Sequence, residues 1–144
     1  MKNGDPLKKV LFLCTGNSCR SQMAEAIVNS QENSEWKAFS AGTDPAWYMH
    51  PLATQVLEEI GLHYQGESKH IDHLQDLSFD LVVTVCDDAA DNCPLWLGSG
   101  RTIHHGFPDP AQAEGSEEQI LAVFRQVRDE ISAFIAGYLF NSLE

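Results

Sequence analysis

Eight consecutive residues, Cys14-Thr15-Gly16-Asn17-Ser18-Cys19-Arg20-Ser21, combine a nucleophile, a pliable turn and a fixed positive charge. Cys-x5-Arg alone carries little: with four Cys and four Arg in 144 residues, chance supplies about 4 × 4/144, or 0.11, such pairs. The setting gives the pattern meaning. Gly16 and Asn17 tolerate left-handed backbone, which lets successive N–H groups converge into an anion-binding nest. A helix starting directly after the loop brings the partial positive charge of its N-terminus to the same point. Arg20 closes the cradle with a planar fork suited to a tetrahedral oxyanion. Cys14 lies at the bottom of that positive cup, where a thiolate is favoured and can attack, and Ser21 is placed to donate to its sulfur. Thr15, Gly16, Asn17, Ser18, Cys19, Arg20 and Ser21 are therefore the candidate oxyanion-binding residues. The plainer alternative, a strand-to-helix turn with a buried Cys, explains Gly, Arg and helix together less well.

Two further thiols and one acid are candidates for the same chemistry. Cys86 ends an apolar run, and Cys93 follows seven residues later across Asp87-Asp88-Ala89-Ala90-Asp91-Asn92. If that stretch is helical, the two Cα atoms lie about 10 Å apart along the axis. A disulfide needs roughly 4.4–6.8 Å, so oxidising this pair requires the segment to loop out. Asp87, Asp88 and Asp91 disfavour a thiolate at Cys86, whereas a helix N-terminus favours one. The spacings do not match a C-x2-C zinc knuckle, and two inert buried cysteines are the other alternative. Asp109 stands between Pro108 and Pro110. The prolines stiffen extended backbone there, which suits an acid that protonates a departing oxygen, although Asp-Pro is also ordinary turn chemistry. His70 and His73 can share a helix face and His104 and His105 point apart on a strand. All four read as solvated or core-edge histidines rather than ligands.

The elements around these residues alternate. Lys9–Leu13 and Leu81–Val85 are apolar runs without alternation, as in strands buried on both faces of a parallel sheet. Trp36–Ser40 is a shorter strand, closed by Gly42 and Pro45. Met23, Ala26 and Ile27 recur at helical spacing after the loop. Pro51 opens a second helix carrying Ala53, Val56, Leu57 and Ile60, with Gly61 as its stop. Ser116-Glu117-Glu118-Gln119 is a capping box, and Ile120, Val123, Phe124, Val127, Ile131, Phe134, Ile135 and Tyr138 trace one stripe after it. Strands alternating with helices predict an α/β fold with a parallel sheet of about four strands. In such folds ligands sit beyond the carboxyl ends of the strands, where both Cys14 and Cys86 fall.

Composition narrows the function classes. Residues 1–144 fit one catalytic domain with a polar lead-in at 1–6, and 43% hydrophobic against 21% charged residues excludes disordered and low-complexity classes. Nine Lys+Arg against 21 Asp+Glu give a net charge of -12, which repels nucleic-acid phosphates and anionic lipid. No apolar run reaches the roughly 18 residues of a membrane helix. Val10–Cys14 is too short for a signal-peptide core of about 7–15 residues. The expected location is the cytoplasm, where thiols stay reduced and four cysteines point to catalysis, redox work or metal.

Cys14 to Glu25, CTGNSCRSQMAE, resembles the start of the thioredoxin-coupled arsenate reductases, which share the fold of the low-molecular-weight protein tyrosine phosphatases. The likeness continues through Phe39-Ser40-Ala41-Gly42, Leu81–Cys86, Phe107-Pro108-Asp109-Pro110-Ala111 and Val127–Ile131. It implies a three-layer sandwich and a relay. Cys14 attacks arsenate, Cys86 attacks Cys14 and expels arsenite, and Cys93 takes over the disulfide for thioredoxin to reduce. By the same likeness Asp109 is the general acid, phosphate and sulfate are inhibitor-like anions, and the protein is a monomer. No tightly bound cofactor is implied beyond a possible potassium ion near Asn17, Glu25 and Ser40. An acidic partner expected further along is replaced by Lys69, whose ammonium offers a substitute for the ion. Cys19 has no required task and reads as packing or as a fallback partner for an oxidised Cys14. Two other functions compete. A protein tyrosine phosphatase needs only Cys14, Arg20 and Asp109, and Trp47-Tyr48 resembles the aromatics that grip phosphotyrosine; Ala111 argues against it. A non-catalytic oxyanion or metal sensor is the third.

Overall fold

Val10, Leu11, Phe12 and Leu13 have no exposed surface, which is what a strand in the middle of a parallel sheet requires. The computed structural model describes residues 7–31, 35–74, 76–86, 98 and 100–140. The lead-in at 1–6, the expected helix across 87–92 and Cys93 lie outside the described residues. The first strand, β1 (Lys8–Cys14), pairs in parallel with β2 (Trp36–Gly42) on one side and β3 (Leu81–Thr84) on the other. β4 (Arg101–His104) joins β3, for a spatial order β2-β1-β3-β4. Four strands among the described residues match the expected number, but the fourth had no apolar run to mark it. At the sheet edge only its Ile103 is even partly buried.

Three helices follow the predicted starts. α1 (Arg20–Asn29) begins at the end of the loop. α2 (Pro51–Glu59) has Pro51 in its first turn and His50 as N-cap, with the His50 ring accepting from Leu52 N; it ends before Gly61, whose φ of 85° only glycine adopts freely. α3 (Glu117–Tyr138) starts with both bonds of the Ser116/Gln119 capping box formed. The expected stripes overrun at their ends: Ile60 and Tyr138 are 45% and 42% exposed, each at the end of its helix. Arg128, off the stripe, is buried instead. Its Nη1 donates to Val56 O at 2.9 Å and to Glu59 Oε1 at 3.0 Å, tying α3 to α2.

The sheet has a layer on each face. Val10, Phe12, Leu81 and Val83 pack in the larger cluster with Met23 and Ile27 of α1, Val56 and Leu57 of α2, and Phe124 and Ile131 of α3. Leu11, Leu13 and Val82 point the other way, beneath Phe79 and a short 3-10 helix at Ile71–Leu74. No helix among the described residues is long and apolar enough to cross a membrane. The strand order reverses at β1: the chain leaves it for β2, then crosses back to β3. Crevices form at such switch points, beyond the carboxyl ends of the strands. Here that places the crevice between Cys14 and Cys86.

Candidate active site

The loop between β1 and α1 makes an anion cup because its carbonyls are drawn outward. Asp44 N donates to Thr15 O at 3.0 Å, Ala46 N to Gly16 O at 2.9 Å, and His50 N to Ser18 O at 3.0 Å. Ser68 Oγ adds a second bond to Gly16 O at 2.9 Å. In a trans peptide the N–H of the next residue points opposite to the carbonyl. The N–H groups of Gly16, Asn17 and Cys19 therefore face inward, and Asn17 N already reaches Cys14 Sγ at 3.3 Å. Of the two residues expected to take left-handed backbone, Asn17 does, at φ 50°; Gly16 does not. Gly42 matters more for the geometry. A Cβ there would lie 2.3 Å from Thr15 O and 2.8 Å from Cys14 O, so only glycine lets β2 end against the loop.

The hydrogen-bond polarity beneath the sulfur follows from one fixed donor. Lys69 N is a backbone donor, and it lies 2.8 Å from Asn17 Oδ1. That orients the Asn17 amide so that Nδ2 donates to Ser21 Oγ, 2.7 Å away. Ser21 then turns its own proton toward Cys14 Sγ at 2.9 Å. Gln22 Nε2 braces the same amide at 3.2 Å and also bonds Asn17 O and Glu67 O. Cys14, Asn17, Ser21 and Gln22 are all buried.

Arg20 is 3% exposed. Its Nη1 donates to Phe107 O at 3.2 Å and its Nη2 stands 3.5 Å from Asp109 Oδ2. Asp109 caps the 3-10 helix Pro110–Gln112 by accepting from Ala111 N at 3.0 Å. Phe107 N bonds Val85 O at 3.1 Å, so the acid hangs from the end of β3. Cys19, at the α1 N-cap, is buried, and burial pushes its thiol up to about 12. A proton held that tightly makes it a poor nucleophile at neutral pH. Cys14 and Cys19 are free thiols, whereas Cys86 is disulfide-bonded, so its bond joins neither of them. Cys86 is buried one residue past Val85, whose N–H bonds Leu13 O at 2.9 Å. Cys14 and Cys86 thus leave adjacent strands at the same edge. Cys93 lies outside the described residues.

Behind the loop, Glu25 accepts from Ser40 Oγ at 2.6 Å and from the Tyr64 hydroxyl, with Lys69 Nζ 4.0 Å away. Burial pushes the Glu25 carboxyl up, while Ser40 and Lys69 pull it down. Among the described residues no group of three His, Cys, Asp or Glu is arranged to hold a metal. His104 Nδ1 pairs with Thr84 Oγ1 at 2.7 Å, His105 stacks on Phe134 and His70 pairs with Asp72. Trp47 and Tyr48 are 65% and 55% exposed, on the segment that holds the loop carbonyls; Trp47 has φ 69°, with its N–H on Ser68 Oγ at 3.0 Å.

Sequence reasoning gave no role to Gln22, although it lies within the Cys14–Glu25 motif, and missed His50 and Ser68, which touch the loop from outside any motif. Burial lowers the His50 pKa, against a smaller upward pull from Asp109, and its ring packs on Phe124 with centroids 4.8 Å apart.

The low molecular weight phosphotyrosine protein phosphatase family model matches residues 9–144. An arsenate reductase from Shouchella clausii is 45% identical over 132 residues, 91% of this chain and 94% of that protein. Among solved structures, an arsenate reductase in an oxidized state superposes with a TM-score of 0.75 at 27% identity, covering 94% of this chain and 98% of that one. A thioredoxin-dependent arsenate reductase from Corynebacterium glutamicum gives a TM-score of 0.64 at 25% identity, over 96% of this chain and 65% of that one.

Proposed function

The chain belongs to the low molecular weight phosphotyrosine protein phosphatase family, and from that premise we propose that it reduces arsenate to arsenite by a three-thiol relay recycled by thioredoxin. Cys14 Sγ attacks arsenic while inward N–H groups and Arg20 hold the oxyanion. One oxygen leaves as water, with Asp109 as the proton donor, and arsenic stays pentavalent in a sulfur–arsenic adduct. Cys86 then attacks Cys14 Sγ. The sulfur–arsenic bond breaks with its electron pair on arsenic, so arsenite leaves and a Cys14–Cys86 disulfide remains. Cys93 attacks Cys86, Cys14 departs as a thiolate, and thioredoxin reduces the resulting Cys86–Cys93 bond. The chain acts here as one catalytic domain, a monomer in the cytoplasm.

The observation that carries this reading is the thiol arrangement. Cys14 is free at the base of the cup, while Cys86, one strand over, is in a disulfide that involves neither Cys14 nor Cys19. The names of the similar proteins point the same way. The test supplies arsenate, thioredoxin, its reductase and NADPH to wild type and to Cys93→Ala. Wild type should oxidise NADPH over many turnovers and the variant should stop after one equivalent of arsenite. Equal multiple turnover in Cys93→Ala would sink the relay, and no arsenate-dependent oxidation in wild type would sink the arsenate reading.

A second reading, hydrolysis of aryl phosphates by Cys14, Arg20 and Asp109, is favoured by the exposed Trp47 and Tyr48 beside the loop. It predicts phosphate release that survives removal of Cys86 and Cys93.

A further inference from the structure

The resemblance brings the expectation of a potassium ion near Asn17, Glu25 and Ser40, and the side chains there do not fit one. Asn17 Oδ1 already accepts Lys69 N at 2.8 Å and has Gln22 Nε2 at 3.2 Å, whose two protons are shared with Asn17 O and Glu67 O, so donors already crowd the oxygen that a cation would need. Glu25 Oε1 accepts from Ser40 Oγ at 2.6 Å, and Glu25 Oε2 accepts from the Tyr64 hydroxyl. An ammonium is present as well: Lys69 Nζ lies 4.0 Å from Glu25 Oε1 and donates to Glu67 O at 2.9 Å. A second cation beside Glu25 would meet that charge at short range, in a partly buried setting where like charges repel more than in water. Gln22 Oε1 is a buried acceptor with no hydrogen-bond partner among the described residues. It packs on Gly66, where an added Cβ would lie 2.1 Å from it, with Tyr64 also against that position. Its carbonyl is packed against chain rather than left to line an ion cavity.

We infer that Lys69 is a built-in counter-ion for the oxyanion loop, its ammonium balancing Glu25 and its backbone N–H orienting Asn17, so that this chain works without potassium. The inference rests on reading the Cys14 loop as the active site, and it makes Lys69 a positioning residue. From Lys69 N the chain of bonds runs through the Asn17 amide and the Ser21 hydroxyl to Cys14 Sγ, each link 2.9 Å or shorter. One residue thereby ties the charge at Glu25 to the direction of the last proton before the sulfur. A side chain already in place does this with no free ion to recruit.

The test uses the full, reduced chain in potassium chloride and in choline chloride at equal ionic strength, as wild type, Lys69→Met and Lys69→Asp. Melting temperature is the first readout and needs no arsenate. Wild type should melt at the same temperature in both salts. Lys69→Met should melt lower in both, having lost the counter-ion without gaining a ligand. Lys69→Asp, with a second carboxylate facing Glu25, should melt lower in choline and recover saturably in potassium. Single-turnover arsenite release is the second readout. Lys69→Asp should be about tenfold slower than wild type in choline and should regain most of that in potassium, an ion-specific rescue that a merely structural role would not give. Potassium-specific stabilisation of wild type would overturn the inference, as would Lys69→Met melting like wild type or Lys69→Asp ignoring potassium. A predicted melting pattern without arsenate turnover in wild type would instead fail the arsenate reading alone.

Discussion

Replacing Gly42 by Ala should damage the site from the neighbouring strand. Gly42 is paired in register with Cys14, and a Cβ built on it would lie 2.3 Å from Thr15 O, 2.8 Å from Cys14 O and 3.0 Å from Thr15 C. Cβ atoms essentially never approach closer than 3.0 Å, so the contact with Thr15 O must open by about 0.7 Å. All three atoms are backbone, and no rotamer change relieves them. Overpacking of this kind costs about 1–3 kcal/mol. For a domain of this length that lowers Tm by roughly 3–12 °C. The displaced peptide is the one that Asp44 N holds through Thr15 O, and whose opposite end aims Gly16 N into the cup. A misplacement near 1 Å costs about 100-fold in rate, so turnover should fall about 10- to 100-fold. Gly137→Ala is the control. Gly137 lies within α3 with nothing within 4 Å of an added Cβ, and helix propensity alone predicts neutrality or a gain of up to about 1 kcal/mol. Thermal melts and the coupled NADPH assay read both variants. If Gly42→Ala melts within about 1 °C of wild type and turns over within about twofold, the argument for close approach is wrong. Lost stability with full turnover would leave the crowding intact but break its link to the cup.

Three other outcomes follow from the site. Cys19→Ala should keep multiple turnover within a few-fold of wild type, since a thiol pushed up to about 12 stays protonated at neutral pH; a collapse in turnover would make Cys19 a relay member. The same shift gives a stability window. The unfolded thiol ionises near its ordinary 9.0 and the folded one near 12, so the unfolded state binds fewer protons between those values and stability falls as pH rises through them. Urea melts should show that alkaline loss in wild type and less of it in Cys19→Ala. Asp109→Asn keeps an oxygen for Ala111 N but loses the acidic proton. It should preserve Tm and slow single-turnover arsenite release by about 10²–10⁴-fold, and an unchanged rate would remove Asp109 as the acid.

Cys14, Arg20 and the strand–loop–helix around them were legible because the signal is local. Cys14 to Ser21 is one continuous segment, and its function depends on backbone conformation that Asn17 and the following helix set within a few residues. Helix starts at Pro51 and Ser116 were legible for the same reason. β4 was not, because an edge strand needs little apolar surface, and RTIH shows only Ile103. Nor were Ser68 or His50, which bond the loop from 52 and 32 residues away with no motif around them.

By itself the sequence determined which groups are proposed for the chemistry, a sulfur, a guanidinium and a carboxyl, and the parallel sheet that gathers strand ends at one edge. It also showed that a net charge of -12 leaves anion binding to local groups. Only the tertiary structure decided the directions. Asp44, Ala46, His50 and Ser68 pull the loop carbonyls outward, Lys69 turns the Asn17 amide, and that amide turns Ser21 toward Cys14. The physical reason is that a hydrogen bond has a polarity as well as a partner. Which end donates is settled by neighbours brought together from distant parts of the chain, and spacing along the sequence carries no record of them.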